Sequence, residues 1–222
     1  MKVAQIKGYG GSEVVEVSQN APEPSLKEGQ VLVEVYGASI NPFDVKIRSG
    51  IYKDSIPMQF PYTPGGDFSG VVTKLGDGIS EFKVGDEIFG SALTLNGGSG
   101  SFAKIASANI KNSAHKPKNI DFLEAASLPL VGSSAVQALE EHIKLKKGQK
   151  ILIHGGAGGI GSIALQLAKH LGAEVATTVS TDDIEFANSL GADQIIDYKT
   201  EKFEEMLKDF DAVFDTVGGE TD

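Results

Sequence analysis

Apolar side chains recur at every second position from Val31 to Ser39, where Val31, Val33 and Val35 alternate with Leu32, Glu34 and Tyr36. A period of two puts successive side chains on opposite faces, so this segment is expected to be a half-buried β-strand. Further strands are predicted at Phe68–Leu75, Glu87–Phe89 and Ser101–Ile105, bounded by turn signals such as Gly76-Asp77-Gly78 and Asn96-Gly97-Gly98. The opening residues Met1 to Ile6 carry the same strand-like pattern. Together they predict a β-rich first domain with a small barrel-like core.

From Asp121 the rhythm changes to helices alternating with short apolar strands, the mark of parallel βαβ units. Ile151-Leu152-Ile153 reads as a buried strand, and Ile160, Ile163, Ala164, Leu167, Ala168 and Leu171 then fall on one helical stripe. The pattern continues with a strand at Glu174–Val179, a helix at Ile184–Leu190 and a strand at Gln194–Asp197. A helix at Lys202–Asp209 and a fourth strand at Ala212–Asp215 follow. The expected fold class is therefore mixed: a β domain over residues 1–122, then an α/β, doubly wound parallel-sheet domain over 123–222. A complete sheet of the second kind runs in the order 3-2-1-4-5-6, so this one is expected to be incomplete. A truncated chain and a partner chain that completes the sheet both account for that, and an uncovered fourth strand would be an exposed edge.

Composition narrows the chemistry. Of the 222 residues, 41% are hydrophobic and 23% charged, an ordinary globular balance without a membrane-length apolar run. The beginning of the chain lacks a signal-peptide pattern, so a cytoplasmic location is expected, with no membrane partner. The formal charge of -10, without a basic block, argues against a nucleic-acid partner. Cysteine is absent, which removes disulfides, thiolate zinc sites and cysteine nucleophiles. His115, His142, His154 and His170 lack metal-ligand spacing and read as surface or structural residues.

Residues 154–162 read His-Gly-Gly-Ala-Gly-Gly-Ile-Gly-Ser, in which Gly156, Gly158 and Gly161 fit GxGxxG. The motif alone is weak, but here an apolar strand precedes it and an amphipathic helix follows. Glycines let the backbone approach a pyrophosphate, and the helix amino terminus offers it free N–H groups and a favourable dipole. A dinucleotide cofactor is expected, with Gly156, Ala157, Gly158, Gly159, Ile160 and Gly161 as its phosphate loop. A sequence preference for NAD would place an acid near the end of the second strand. Ala176 to Thr181 holds none, which leans the choice to NADPH with NADH possible; yet Asp182 and Asp183 follow at once, without a nearby lysine or arginine in sequence. Ser180 reads equally as a helix cap or a direct cofactor contact.

Several stretches carry a resemblance that covers nearly the whole chain: Gly37 to Asp44, Arg48 to Tyr52, Pro61 to Val72, Val84-Gly85-Asp86, Ala125 to Pro129, Gly155 to Lys169 and Leu190 to Asp193. In this order and spacing they resemble the zinc-free quinone oxidoreductase branch of the alcohol dehydrogenase-like medium-chain dehydrogenase/reductase superfamily. The resemblance implies a GroES-like β-barrel catalytic domain followed by a Rossmann domain, with the active site in the cleft between them. It implies an NAD(P)H-dependent oxidoreductase, commonly a homodimer. Zinc-dependent relatives have a cysteine ligand at the position of Asn41 and a histidine ligand at that of Gly66, so no catalytic metal is expected. Hydride transfer without a Lewis acid suits an electron-poor acceptor, a quinone or an α,β-unsaturated carbonyl.

By the same resemblance Asn41 and Tyr52 line the nicotinamide and substrate pocket as candidate catalytic residues, with Asn41 also a cofactor contact. Ser134 stands near the nicotinamide, Tyr198 near the adenosine end, and Asp183 replaces a residue that is basic in several members. Read without the resemblance, Asn41 is a turn cap before Pro42 and Tyr52 a packed loop residue. The alternative function is a non-catalytic nucleotide-binding or interaction protein on the same fold, or an inactive fragment.

Overall fold

The computed structural model describes residues 1–219 and divides into two compact units, Met1–Leu130 and a second that begins at Val131. The first unit contains β1 (Val3–Ile6), β2 (Val15–Ser18), β3 (Gln30–Ala38), α1 (Pro42–Ser49), β4 (Asp67–Leu75), β5 (Glu87–Ser91), β6 (Ile105–Asn109), β7 (Ser113–His115) and α2 (Phe122–Ala126). Residues 123–130, which the sequence pattern grouped with the helical half, belong to this unit, where α2 packs on β3 and β4.

β1 and β2 form an antiparallel pair, and the other five strands form an antiparallel sheet in the order β6-β3-β4-β5-β7. The two edge strands, β6 and β7, are joined only by the turn Ile110–Asn112, so the chain brings the sheet's edges together around a barrel-like core. Val31, Val33, Phe68, Val72, Ile88 and Ala106 fill that core and are fully enclosed. This is the GroES-like architecture expected.

Local departures have local causes. The strand expected over Ser101–Ile105 begins only at Ile105. Gly100 turns the chain with φ 86°, and the Ser101 and Phe102 N–H groups donate to Gly65 and Pro64 carbonyls instead of to a sheet ladder. Helix α1 was not foreseen, although its start is chemically marked. Pro42 is preset for a first helical turn, the Asp44 carboxylate accepts the Asn41 N–H at 2.8 Å, and Gly50 ends the helix at φ 81°.

The second unit contains α3 (Pro129–Val136), whose first residues lie in the first unit and which runs on into a wider π turn at Gln137–His142. Then come β8 (Lys150–His154), α4 (Gly159–His170), β9 (Glu174–Val179), α5 (Ile184–Ser189), β10 (Gln194–Asp197), α6 (Phe203–Met206) and β11 (Ala212–Asp215). The strands are parallel in the order β10-β9-β8-β11, the expected 3-2-1-4 arrangement of a Rossmann-like sheet. α4 buries Gly161, Ala164, Leu165 and Ala168 against Ile151, Ile153 and Val175. Enclosing each large aliphatic side chain of this core contributes about 1.5–3 kcal/mol. The helix expected over Lys202–Asp209 is shortened to α6 because Leu207 is extended and Asp209 is left-handed at φ 58°. Phe203, Leu207 and Phe210 nevertheless pack on Leu152, Ala176 and Ile196, so their spacing recorded burial and not helix length.

Candidate cofactor site and a buried polar cluster

β8 ends at His154, and the chain turns sharply at Gly155 with φ 72°. The N–H groups of Gly155 and Gly156 donate to the Thr178 carbonyl at 3.1 and 3.3 Å, which ties the turn to β9. A Cβ on Gly156 would lie 2.1 Å from Thr177 Oγ1, and one on Gly161 would lie 2.1 Å from the Gly155 carbonyl oxygen. Both positions therefore require glycine for packing. Gly158 differs: its φ is -74°, and a Cβ there would meet only the Gly155 oxygen at 3.2 Å. Its bare face borders open space. α4 starts at the next residue, and its first turn presents N–H groups without intrahelical partners, together with the positive end of the helix dipole.

That open space is a cavity of about 770 Å³, bordered by Ala157 and Gly158 on the turn, Ser180 and Asp183 beyond β9, and Tyr198 and Lys202 beyond β10. Ser180 Oγ donates to Asp183 Oδ2 at 2.6 Å, and Tyr198 N donates to the Val179 carbonyl at 3.2 Å. His154 forms part of the wall with only 1% of its surface exposed. Its Nδ1 lies 2.9 Å from Thr178 Oγ1, and its ring meets Phe203 edge-on at 4.7 Å. Burial lowers the His154 pKa, opposed by the Asp215 carboxylate, so the imidazole is neutral at pH 7. Thr216 Oγ1 donates to the His154 carbonyl at 2.7 Å and ties the end of β11 to the same corner.

A glycine cradle that admits no Cβ at two points, a third glycine facing the cavity, and a helix amino terminus beside it fit a dinucleotide's pyrophosphate. The carboxyl ends of β8, β9 and β10 surround the remaining volume, where ligands bind in open α/β sheets.

The first unit holds a different kind of site. Asp67, at the start of β4, and Asp44, in α1, are both buried. Asp67 Oδ2 accepts Ser39 Oγ at 2.8 Å and Asn41 Nδ2 at 2.9 Å. Asp44 accepts the Asn41 N–H on one oxygen and the Gly65 N–H, at 3.1 Å, on the other. Burial raises both carboxyl pKa values; hydrogen bonds from the Asn41 and Gly65 N–H groups oppose this at Asp44, and those from Asn41 and Ser39 oppose it at Asp67. A carboxylate only accepts, so Asp67 fixes the amide of Asn41 with its nitrogen turned inward. Tyr52 packs its ring 5.9 Å from Phe43 against the small core of Ile6, Ile47 and Tyr62. Among the described residues, no group of three His, Asp or Glu side chains is placed to hold a metal ion.

Of the candidates named from sequence, Ala157, Gly158, Ser180 and Tyr198 border the cavity. Gly156, Gly159, Ile160 and Gly161 build the same turn without bordering it, and Ser134 lies half-buried on α3. Asn41 and Tyr52 belong to the first unit, in and beside α1. The sequence pattern assigned no role to Thr178 and Asp67 and read His154 as a surface or structural residue. Their polar side chains at strand ends were the available signal, since a buried polar residue needs a partner. It also found no base near Asp182 and Asp183; in space Lys199 Nζ stands 4.0 Å from Asp182, and Lys202 borders the cavity.

The pattern of the alcohol dehydrogenase GroES-like domain matches residues 27–118, and that of the zinc-binding dehydrogenase family matches 159–221. The barrel-like unit, the 3-2-1-4 sheet and the glycine turn thus define a medium-chain dehydrogenase/reductase fold. The chain is 42% identical over 98% of its length to tomato (Solanum lycopersicum) 2-methylene-furan-3-one reductase, covering 57% of that protein. It is 41% identical over 98% of its length to the NADPH-dependent alkenal/one oxidoreductase of Arabidopsis thaliana chloroplasts, covering 58% of it. The solved quinone oxidoreductase of Coxiella burnetii superposes with a TM-score of 0.87 at 36% identity, over 99% of this chain and 69% of that one. The chain belongs to the quinone oxidoreductase branch of the medium-chain dehydrogenase/reductase superfamily. It spans somewhat more than half the length of the two plant relatives.

Proposed function

We propose that this chain carries the cofactor-binding and substrate-binding elements of an NAD(P)H-dependent reductase of quinones or α,β-unsaturated carbonyls. The observation that carries the reading is the glycine turn: Gly156 and Gly161 locked by packing, Gly158 left bare toward a cavity at the start of α4. The names of the plant relatives, an enone reductase and an NADPH-dependent alkenal/one oxidoreductase, support the substrate class and put NADPH first among cofactors, with NADH second.

When bound, the reduced nicotinamide supplies the hydride. The backbone N–H groups of Ala157 and of Gly159 to Gly161 would hold the pyrophosphate, the Gly158 N–H being engaged by the Gly155 carbonyl, while Ser180 and Tyr198 would border the adenosine end. By resemblance Asn41, whose amide nitrogen is held by Ser39 and Asp67, is assigned to the nicotinamide end, where an amide would orient the reacting group. Tyr52, its ring packed on Phe43, offers a hydroxyl to the developing negative charge on the substrate oxygen. Ser134 is assigned to the nicotinamide end by resemblance. Asn41 and Gly66, standing where zinc-dependent relatives have ligands, support metal-independent transfer to an already electron-poor acceptor.

The same reading includes a homodimer and a cytoplasmic location. No described helix is long and apolar enough to cross a membrane, while the chloroplast origin of the Arabidopsis relative makes an organelle the competing location. Titration of the chain with NADPH and NADH, followed by oxidation of each in the presence of a simple ortho-quinone, tests the reading. Saturable binding with turnover is expected. Failure of both cofactors to bind would overturn it, and binding without turnover would leave a nucleotide-binding protein.

A further inference from the structure

We infer that Tyr9 is a positioning residue for Tyr52, clamping at both ends the loop 51–60 on which Tyr52 is carried. The inference rests on the role proposed above for Tyr52, since a clamp matters to turnover only if the side chain it steadies meets the reacting group. Residues 51–60 form turns and bends without a helix or strand, so no backbone ladder fixes them. Inside the loop, the Ser55 and Ile56 N–H groups donate to the Tyr52 carbonyl at 3.1 and 2.7 Å, and the Ser55 hydroxyl donates to it at 3.2 Å. These bonds fold the loop on Tyr52 without attaching it to the rest of the unit. Across residues 54–61, the bond from the Met58 N–H to the Tyr9 hydroxyl, 3.0 Å long, is the one hydrogen bond to another element among the described residues.

Tyr9 reaches the other end of the loop through its ring. Gly50 is left-handed at φ 81° where α1 ends, and a Cβ there would stand 3.1 Å from Tyr9 Cγ, so the ring takes the space a side chain would need. The Gly10 N–H donates to the Arg48 carbonyl at 2.9 Å and anchors the backbone beside Tyr9 to the same end of α1. The Tyr9 ring also meets Phe60 edge-on, with centroids 5.0 Å apart and planes at 85°. One side chain thus touches Gly50, Met58 and Phe60, which bracket the loop. Tyr52 lies between them, and Ile56 and Met58 pack with it around Ile6, Ile47 and Tyr62. Without the Tyr9 hydroxyl the Met58 end is untied, and two of the side chains that pack with Tyr52 lose their anchor. A group that answers a developing charge must be held by its supporting residues to within a fraction of an ångström, so this loosening falls on the reaction.

The test compares the wild type, Tyr9→Phe, Tyr52→Phe and the double variant. Tyr9→Phe deletes the hydroxyl and keeps the ring, so it separates the tie from the packing. Amide hydrogen exchange is read residue by residue, and turnover is read as oxidation of NADPH by a simple ortho-quinone. In Tyr9→Phe the Met58 and Ile56 amides are expected to exchange about fivefold faster, the scale of one net hydrogen bond, while Val33 and Val72 in the paired strands β3 and β4 keep their rates. The kcat should fall about tenfold with cofactor affinity unchanged. In the Tyr52→Phe background the same substitution should cost little more, because it acts through Tyr52. Unchanged exchange in the loop, or acceleration that reaches Val33 and Val72 as well, would overturn the clamp. Faster loop exchange with an undiminished kcat, or an equal loss whether or not Tyr52 is present, would overturn the positioning role. A wild type that binds cofactor and oxidises neither NADPH nor NADH would overturn the reductase reading and with it the effect on turnover, while the exchange rates still decide the clamp.

Discussion

The two units build their polar sites by opposite means. In the first, the working groups are side chains: Asn41 is oriented by a buried carboxylate, and Asp44 pins two backbone N–H groups. In the second, the work falls to backbone, a glycine turn whose shape is set by what would collide with a Cβ. A site made of side chains depends on charge and protonation, whereas one made of backbone depends on volume. Substitutions should separate the two.

The largest effect is expected at Gly161. Gly161→Ala forces a methyl group to 2.1 Å from the Gly155 oxygen, costing about 1–3 kcal/mol or more of stability and abolishing dinucleotide binding. Urea unfolding and a cofactor titration measure both. Gly158→Ala sharpens the contrast: its φ of -74° suits alanine, and the Gly155 oxygen 3.2 Å from the new methyl group need give by only a few tenths of an ångström, so melting should change little while cofactor affinity falls at least tenfold. If binding persists in Gly158→Ala, this face of the turn does not approach the cofactor.

The first unit should respond to charge. Asp44→Ala orphans the Asn41 and Gly65 N–H groups and is expected to cost about 1–3 kcal/mol, read from urea unfolding. The pH dependence has a definite sign. Burial raises the Asp67 carboxyl pKa above its unfolded value, so the proton is held more tightly in the folded state. The resulting stabilisation is fully present below the unfolded pKa of about 4 and is lost as pH rises through the raised folded value. The stability advantage of wild type over Asp67→Asn should therefore shrink between pH 4.5 and pH 7.5, measured by denaturant titration at each. An advantage that grows with pH would contradict the assigned shift.

The smallest effect belongs to the exposed pair Lys169–Asp193. Its 2.6 Å contact joins side chains 32% and 39% exposed, so Lys169→Met should cost under about 1 kcal/mol, less in high salt.

The same contrast explains what could be read from sequence. The glycine turn was legible because its requirements are steric and local: a strand, three glycines and a helical stripe sit together in the chain, and the 3-2-1-4 sheet follows from the βα rhythm. The cluster of Asn41, Asp44 and Asp67 was only half legible, since Asp67 meets Asn41 across 26 residues of chain. Asn41 was recognised through a motif, while the carboxylate that orients it was not. Helix α6 shows the remaining limit. A helix was expected over Lys202–Asp209, and Phe203 and Leu207 do pack partly buried on the sheet, but the left-handed Asp209 that shortens the helix has no periodic signature.

The most direct test of the account is calorimetric titration of NADPH and NADH into the wild-type chain and into Gly158→Ala under identical conditions. The account predicts saturable one-to-one binding of at least one dinucleotide to the wild type, and at least tenfold weaker binding to a variant that melts at nearly the same temperature. Equal affinity in the two proteins, or no heat of binding from either dinucleotide, would contradict it.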